Sequence, residues 1–222
     1  MSGADDVPNE KLIRKKTEQA EQKRPSPAAS PRAASPYGER LPPGQHVAQG
    51  WPVLDLGVKP AVPEAKWMLE VDGLVETPRT FDWAAFKALP QSERTTDFHC
   101  VTTWSTFDNR WSGVLFKDLC AAVGVKPQAR FVVFASYDGY TTNLPLDACM
   151  DDDVLLVHAW NGAPLSRDHG GPVRMIVPKR YAWKSAKWLR GITFLAADAP
   201  GFWEVRGYSN TALPWAEDRF SP

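Results

Sequence analysis

Three runs of β-branched and aromatic residues predict strands along the chain. They cover residues 67–75 (WMLEVDGLV), 129–137 (ARFVVFASY) and 173–178 (VRMIVP), and each ends at an Asp, Gly or Pro turn. Alternating or continuous apolar runs of this length, bounded by turn residues, are typical of strands. The pattern therefore predicts a sheet built from distant parts of the sequence.

Two shorter segments predict helices. Apolar residues recur at helical spacing over residues 80–89, where Thr80 can cap, and over residues 115–124, which end at Gly124. Strands and helices interleave without a regular strand-helix-strand order or a glycine-rich dinucleotide fingerprint. The fold class expected is α+β, a mixed sheet in one domain.

Composition divides the chain near residue 40. Before that point the only aromatic residue is Tyr37, and the run RPSPAASPRAASP cannot bury enough apolar surface to offset its ordering entropy. We expect a mobile tail over residues 1–39, in which residues 9–22 suit a charged helix but offer few apolar anchors. Residues 40–222 hold all ten tryptophans and are expected to form one domain.

Charge and cysteine usage exclude several classes of protein. The 26 basic and 26 acidic side chains cancel, which argues against binding of nucleic acid or a membrane surface through bulk charge. No apolar run approaches a membrane span or a secretory signal core, so a cytoplasmic location is expected. Three cysteines without a Cys-x-x-Cys pair make a poor disulfide or zinc framework.

The first segment that carries chemistry is DFHCVTTWS, residues 97–105. A thiolate at Cys100 would be both a good nucleophile and a soft metal ligand. The alternative is that Cys100 is a small buried hydrophobe, the usual state of a free cysteine. His99 need not meet its sulfur, because adjacent strand residues point to opposite faces. For the other two cysteines, Cys120 and Cys149, packing is the favoured interpretation.

The second segment, residues 161–189, combines a glycine loop with basic and aromatic residues. In the loop, His169 precedes two glycines and a proline, and Arg174 follows on an apolar strand. Backbone donors, a guanidinium and ammonium groups suit a phosphate-bearing cofactor. The alternative is a solvated basic face. The other polar members of the segment are Lys179, Arg180, Lys184, Ser185 and Lys187.

Together, these segments resemble the molybdopterin-binding domain of the sulfite oxidase family. The resemblance rests on DFHCVTTWS, WSG (111–113), DGY (138–140) and HGGPVRMIVP with its trailing KSAKWL, which occur in the family's order and spacing. It implies a mixed α+β fold that holds one molybdenum on a pterin dithiolene and on a single cysteine thiolate. By this resemblance Cys100 is the metal ligand and the catalytic residue.

The resemblance also implies a set of residues that contact the pterin or its terminal phosphate. The expected cofactor-binding residues are His169, Arg174, Ser185, Ala186, Lys187 and Ser136, with His46 and Gln49 from an N-terminal cradle.

The chain departs from the family where sulfite-oxidising members carry substrate-binding arginines. The residues after Cys100 are Val101, Thr102 and Thr103, and the cradle position is Ala48. The pattern Cys-Val-x-x-Trp-Ser is closer to the bacterial methionine sulfoxide reductase catalytic subunit.

The function expected is that of a molybdenum-dependent oxidoreductase. It would transfer an oxygen atom to or from a small sulfur- or nitrogen-containing substrate, with electrons exchanged through a separate protein or a diffusible carrier. Two alternatives remain: a metal-free scaffold, and a thiol-based enzyme that uses Cys100.

Overall fold

Two mixed sheets and three helices make up the fold of the computed structural model, which describes residues 10–22 and 35–221. Several large aromatic residues lie in the core, where Trp67, Trp111 and Trp188 are almost fully buried. Within the described residues, no helix has the length and apolar character to cross a bilayer. The mixed strand arrangement confirms the predicted α+β class.

The first sheet has six strands, which are β1 (His46–Val47), β4 (Gln91–His99), β5 (Trp104–Leu115), β8 (Leu155–Trp160), β9 (Ala163–Pro164) and β10 (Arg174–Ile176). The long strand β5 pairs with β1 in parallel and with β4 and β8 in antiparallel fashion. Strand β8 in turn pairs with β9 and β10.

The second sheet has five strands, which are β2 (Met68–Gly73), β3 (Arg79–Asp82), β6 (Phe131–Ser136), β7 (Thr141–Pro145) and β11 (Leu189–Leu195). Their order in the sheet is β3-β2-β11-β6-β7, and of these pairs only β2–β11 is parallel. The three strand predictions are confirmed, since β2, β6 and β10 lie within the predicted runs.

The predicted helices are present with one correction. Helix α3 (Phe116–Val123) ends at Gly124, which has φ +66°, as the sequence predicts. Helix α2 is shorter than predicted, at Trp83–Lys87, because Thr80 lies in β3. The capping residue is Asp82, whose carboxylate accepts a hydrogen bond from the Ala85 N–H at 2.8 Å.

The N-terminal segment differs from the sequence expectation where the structure describes it. Residues Glu10–Gln22 form helix α1, and Ile13 is 5% exposed within the apolar core. The expectation of a fluctuating, undocked segment rested on its few apolar residues. A single buried isoleucine and tertiary contacts nevertheless dock the helix on the domain. Residues 35–39 of the predicted tail are also described, and Tyr37 stacks on Phe107 with ring centroids 3.8 Å apart. Residues 1–9 and 23–34 lie outside the described residues.

Candidate active site

A cavity with an empty volume of about 980 Å³, including its open mouth, brings together residues from both sheets. The predicted site residues in its wall are Cys100, Ser136, His169, Arg174, Ser185 and Lys187. Residues scattered over 88 positions of sequence, from 100 to 187, therefore share one site.

Cys100 lies in the tight turn between β4 and β5. The turn is closed by the Cys100 N–H, which donates to the Trp104 carbonyl at 2.8 Å, and it places Thr103 at φ +74°. The Cys100 Sγ lies 3.2 Å from the Thr102 hydroxyl. Burial raises the pKa of the Cys100 thiol, whereas Thr102 and the positive charges of Arg219 and Lys16 lower it. These groups would favour the thiolate once a cation binds the sulfur.

His169 also lines the cavity, where its ring stacks on a tryptophan. Its ring lies parallel to Trp51, with centroids 4.0 Å apart. Its Nδ1 is buried without a hydrogen-bond partner among the described residues. Burial, assisted by the charges of Arg174 and Lys187, lowers the pKa of His169 to about 4, so the ring is neutral at pH 7.

The guanidinium of Arg174 hydrogen-bonds to the backbone of the loop instead of pointing unpaired into the cavity. Its guanidinium donates to the carbonyls of His169 and Ser185, each at 2.9 Å, and lies 5.1 Å from the Trp51 ring. Burial lowers its pKa to about 9. Arg174 thereby connects the glycine loop to residues 184–187, the KSAK segment. The sequence did not reveal this role.

Ser136 and Ser185 offer hydroxyl groups of different availability. Ser136 ends β6, is 3% exposed, and has an Oγ without a partner among the described residues. The Ser185 Oγ already accepts a hydrogen bond from the Val177 N–H at 3.0 Å. A buried polar group left unpaired is costly. The unpaired Ser136 Oγ and His169 Nδ1 therefore fit a polar ligand in this cavity.

Lys187 completes the polar wall beside the glycine loop. Its ammonium donates to the Asp168 carbonyl at 2.7 Å, and burial followed by the charge of Arg174 lowers the pKa of Lys187 to about 7. Gly170 has φ +97°, and a Cβ added there would lie 2.7 Å from the Cβ of Lys187. Only glycine lets the loop approach Lys187 this closely.

Substitution of Gly170 by alanine is expected to destabilise the protein by about 2–5 kcal/mol, from the left-handed backbone and the steric overlap together. The matched control is Gly139→Ala, because Gly139 has φ +82° and open space around the added Cβ. Only the backbone cost of about 1–2 kcal/mol is expected there. Urea denaturation measures both, and equal losses would contradict the overlap at Gly170.

Three predicted cofactor-binding residues do not line the cavity. Ala186 is 1% exposed, and its carbonyl accepts from the Met175 N–H at 2.9 Å, which holds the KSAK segment against β10. His46 and Gln49 are exposed on and after β1. For these two the N-terminal cradle does not reach the cavity in this structure.

The basic cluster of the second segment is divided by the fold. Lys184 is fully buried and forms a 2.7 Å salt bridge with Glu204. Lys179 points outward to Asp151 at 2.7 Å. Of the five polar residues of this cluster, Ser185 and Lys187 line the cavity.

Several cavity residues were missed by sequence reasoning. Trp51 supplies the face on which His169 stacks, Asp138 is a buried carboxyl whose pKa is raised by burial, and Lys16 enters from α1. Asp138 lies in the DGY motif, which was a usable signal. Nothing near Trp51 or Lys16 in sequence indicates a site, since only the tertiary fold brings them there.

Comparison with known proteins agrees with this geometry. The model of the oxidoreductase molybdopterin binding domain matches residues 56–203. The uncharacterized oxidoreductase YuiH of Bacillus subtilis is 45% identical over 183 residues, which are 82% of this chain and 92% of that protein. The chain therefore belongs to the oxidoreductase molybdopterin-binding family, the family of sulfite oxidase, and is an oxidoreductase domain of that kind.

The chain spans less than half the length of two more distant relatives. The protein-methionine-sulfoxide reductase catalytic subunit MsrP of Ralstonia nicotianae is 32% identical over 155 residues, 63% of this chain and 46% of that protein. The sulfane dehydrogenase SoxCD of Paracoccus pantotrophus aligns with a TM-score of 0.58 at 23% identity, over 63% of this chain and 40% of that one. The latter likeness concerns the fold alone.

Proposed function

We propose that this chain binds molybdenum-molybdopterin in the Cys100 cavity and transfers an oxygen atom to or from a small sulfur- or nitrogen-containing substrate. The observation that carries the proposal is the convergence of a thiol with unpaired polar groups in one cavity. Molybdopterin is the cofactor that the family binds. The proposal includes a separate protein or a diffusible carrier that exchanges electrons with the site.

The cavity residues divide into a metal end and a pterin end. Cys100 would give its thiolate to the metal, a soft donor suited to a centre that changes oxidation state. Ser136 Oγ and His169 Nδ1 would meet polar atoms of the pterin, because both are buried without partners. When bound, the molybdenum centre supplies two-electron oxygen-atom transfer. The protein's part is to hold the cofactor and to shape the space for the substrate.

In this proposal, Lys187 would bind the cofactor phosphate. Its pKa of about 7 means that the ammonium is only partly protonated at neutral pH. A phosphate at the Lys187 Nζ favours the protonated form, so phosphate binding takes up a proton there. Gly170 leaves the loop close enough for backbone groups to share the contact.

The geometry does not favour the thiol-enzyme alternative. The ring of His99 is buried, with its Nδ1 2.8 Å from the Ser105 Oγ, and no hydrogen bond joins it to Cys100 among the described residues. Burial raises the pKa of the thiol instead of lowering it. An activated nucleophile needs a base within hydrogen-bond reach.

The test is the cofactor content of protein produced with ample molybdate. We expect close to one molybdenum and one pterin per chain, measured by elemental analysis and by fluorescence of the oxidised pterin. Protein without either would refute the proposal and favour the metal-free scaffold. Activity that persists without metal and disappears when Cys100 is alkylated would favour the thiol enzyme.

A Lys187→Met variant is expected to retain the cofactor roughly ten- to a hundredfold less tightly, since a lost hydrogen bond to a charged group costs about 1.5–3 kcal/mol. Lys179→Met removes the same charge from an exposed pair outside the cavity and serves as the control. Pterin release during dialysis measures both. Equal release from the two variants would contradict the assignment of the phosphate to Lys187.

A further inference from the structure

His99, the residue before Cys100, does not face the cavity. Consecutive residues of an extended segment point to opposite sides. Cys100 lines the cavity, whereas His99 is not among the described residues of its wall. His99 is 1% exposed, and its ring contacts Phe107 and Trp215 edge to face, with centroids 6.2 Å and 5.0 Å away. The residue next to Cys100 therefore packs towards a second side of the domain.

Trp215 carries this contact to the molecular surface. It lies in the C-terminal segment after β11 and is 43% exposed in the part of the chain that the structure describes. Its indole N–H donates to the Glu39 carbonyl at 3.0 Å, which helps to hold the ring against His99. An exposed tryptophan is thus one ring contact and one peptide link away from Cys100.

This arrangement provides a short route for electrons between Cys100 and the surface. Electrons tunnel faster through covalent bonds than across gaps, so a route with a single through-space contact is favourable. The route runs from Cys100 through the chain to His99 and then across the edge-to-face contact with Trp215. It does not occupy the cavity, because neither ring is among the described residues that line it. A carrier and a substrate could therefore approach from different sides.

The surface around Trp215, the Trp215 face, carries a charge cluster with a negative balance. Its arginine pairs with two aspartates, each at 2.6 Å, and lies 5.5 Å from the ring of Phe107, which contacts His99. Two exposed glutamates are added, one hydrogen-bonded to Trp215 through its carbonyl and one two residues further along the chain. The cluster consists of Arg40, Asp97, Asp108, Glu39 and Glu217. Such a surface complements a basic partner.

We propose that the Trp215 face is the docking surface of a one-electron carrier protein that has a basic surface around its redox cofactor. This inference rests on the proposed function, because it assigns the electron partner of the same site. In the oxidative direction the substrate gains an oxygen atom from water, two protons are released, and two carrier molecules each take up one electron. In the reductive direction the same balance runs in reverse. Trp215 supplies the large, partly exposed aromatic group that is common at the centre of interfaces.

The test is electron transfer from cofactor-loaded protein, reduced with dithionite and freed of excess reductant, to cytochrome c, a basic haem protein. Stopped-flow absorbance of the haem gives the second-order rate constant. We expect Glu217→Lys to lower it roughly tenfold at low salt, because the substitution reverses a charge that attracts the carrier. The difference should disappear at high ionic strength. The matched control is Glu70→Lys, the same charge change at an exposed position of β2 in the second sheet, which should leave the rate nearly unchanged.

Substitution of Trp215 tests the route itself. Trp215→Ala should lower the rate constant roughly tenfold at low and at high ionic strength, since the contact with the carrier and the ring beside His99 are lost together. Trp215→Phe keeps a ring at this position and should retain most of the rate. Molybdenum content and thermal unfolding are measured on every variant, so that rates are compared between folded, loaded samples.

Three outcomes would overturn the inference. They are the absence of electron transfer from loaded protein to cytochrome c, equal rates for Glu217→Lys and Glu70→Lys, and an unchanged rate in Trp215→Ala. In each of these cases the unmodified protein still contains molybdenum, so the proposed function stands and the docking surface alone is refuted. If the unmodified protein contains no molybdenum, the proposed function fails, and the assignment of a carrier to this face fails with it.

Discussion

Replacement of Cys100 by serine is expected to reduce oxidoreductase activity by roughly 10³-fold or more, the scale on which removal of a catalytic group acts, and to remove the bound molybdenum. Serine has nearly the same shape but lacks the soft, polarizable sulfur that a redox-active metal requires. Because Cys100 lies in a turn and the Thr102 hydroxyl is 3.2 Å from its sulfur, the serine hydroxyl has a hydrogen-bond partner at hand and the fold should survive the change. Elemental analysis and steady-state activity measure the two effects.

Cys120→Ser is the matched control for this experiment. Cys120 is also 5% exposed, and burial raises the pKa of its thiol to about 12, but it packs on α3 outside the cavity. Both substitutions bury a hydroxyl, at a cost of about 1–3 kcal/mol when it is left unpaired. If Cys120→Ser also lost molybdenum, the loss in Cys100→Ser would be explained by lower protein stability. Full molybdenum content in Cys100→Ser would contradict the assignment of Cys100 as the metal ligand.

The second large effect is expected on stability, from the substitution Lys184→Met. Lys184 and Glu204 form a fully buried salt bridge of 2.7 Å, and the Glu204 carboxylate also accepts from Trp183 and Thr142. Removal of one partner leaves a buried charge uncompensated, which costs about 3–5 kcal/mol. The free energy of unfolding, measured with urea, should fall by this amount.

The same measurement on Lys179→Met supplies the comparison. Lys179 pairs with Asp151 at 2.7 Å, but both side chains are exposed, so solvent screens their attraction. A loss of about 0–1 kcal/mol is expected there. An equal loss of unfolding free energy in the two variants would contradict this prediction. It would mean that the buried pair does not stabilise the contact between β7 and the segment after β11.

The buried pair also shows where sequence reasoning reached its limit. Lys184 stands in a basic run and was assigned to an anion site with its neighbours, because charge runs are normally solvated or bind anions. Its actual partner lies 20 residues further along, on a segment with no marked pattern. Local composition does not distinguish a lysine that enters the core from one that faces a ligand.

Helix α1 is a second case in which local composition was misleading, because a segment that was expected to be solvated packs on the domain. Its residues read as a charged segment with few apolar anchors, yet Ile13 is buried and Lys16 reaches the cavity. Docking depends on the complementary surface around Gly57 and Arg206, which lies far away in the sequence. Helix propensity alone does not determine whether such a segment packs against the domain.

The amino-acid sequence alone determined the class of fold, the strands β2, β6 and β10, and the glycine-terminated helix α3, because side-chain periodicity and glycine stops act locally. It also pointed to Cys100 and to the glycine loop with Arg174, since their residue types are suited to metal and phosphate chemistry. Only the tertiary structure decided that Trp51 stacks on His169, that Arg174 secures the loop backbone, and that Lys16 joins the Cys100 wall. These are contacts between distant segments, and their geometry exists only once the two sheets have packed.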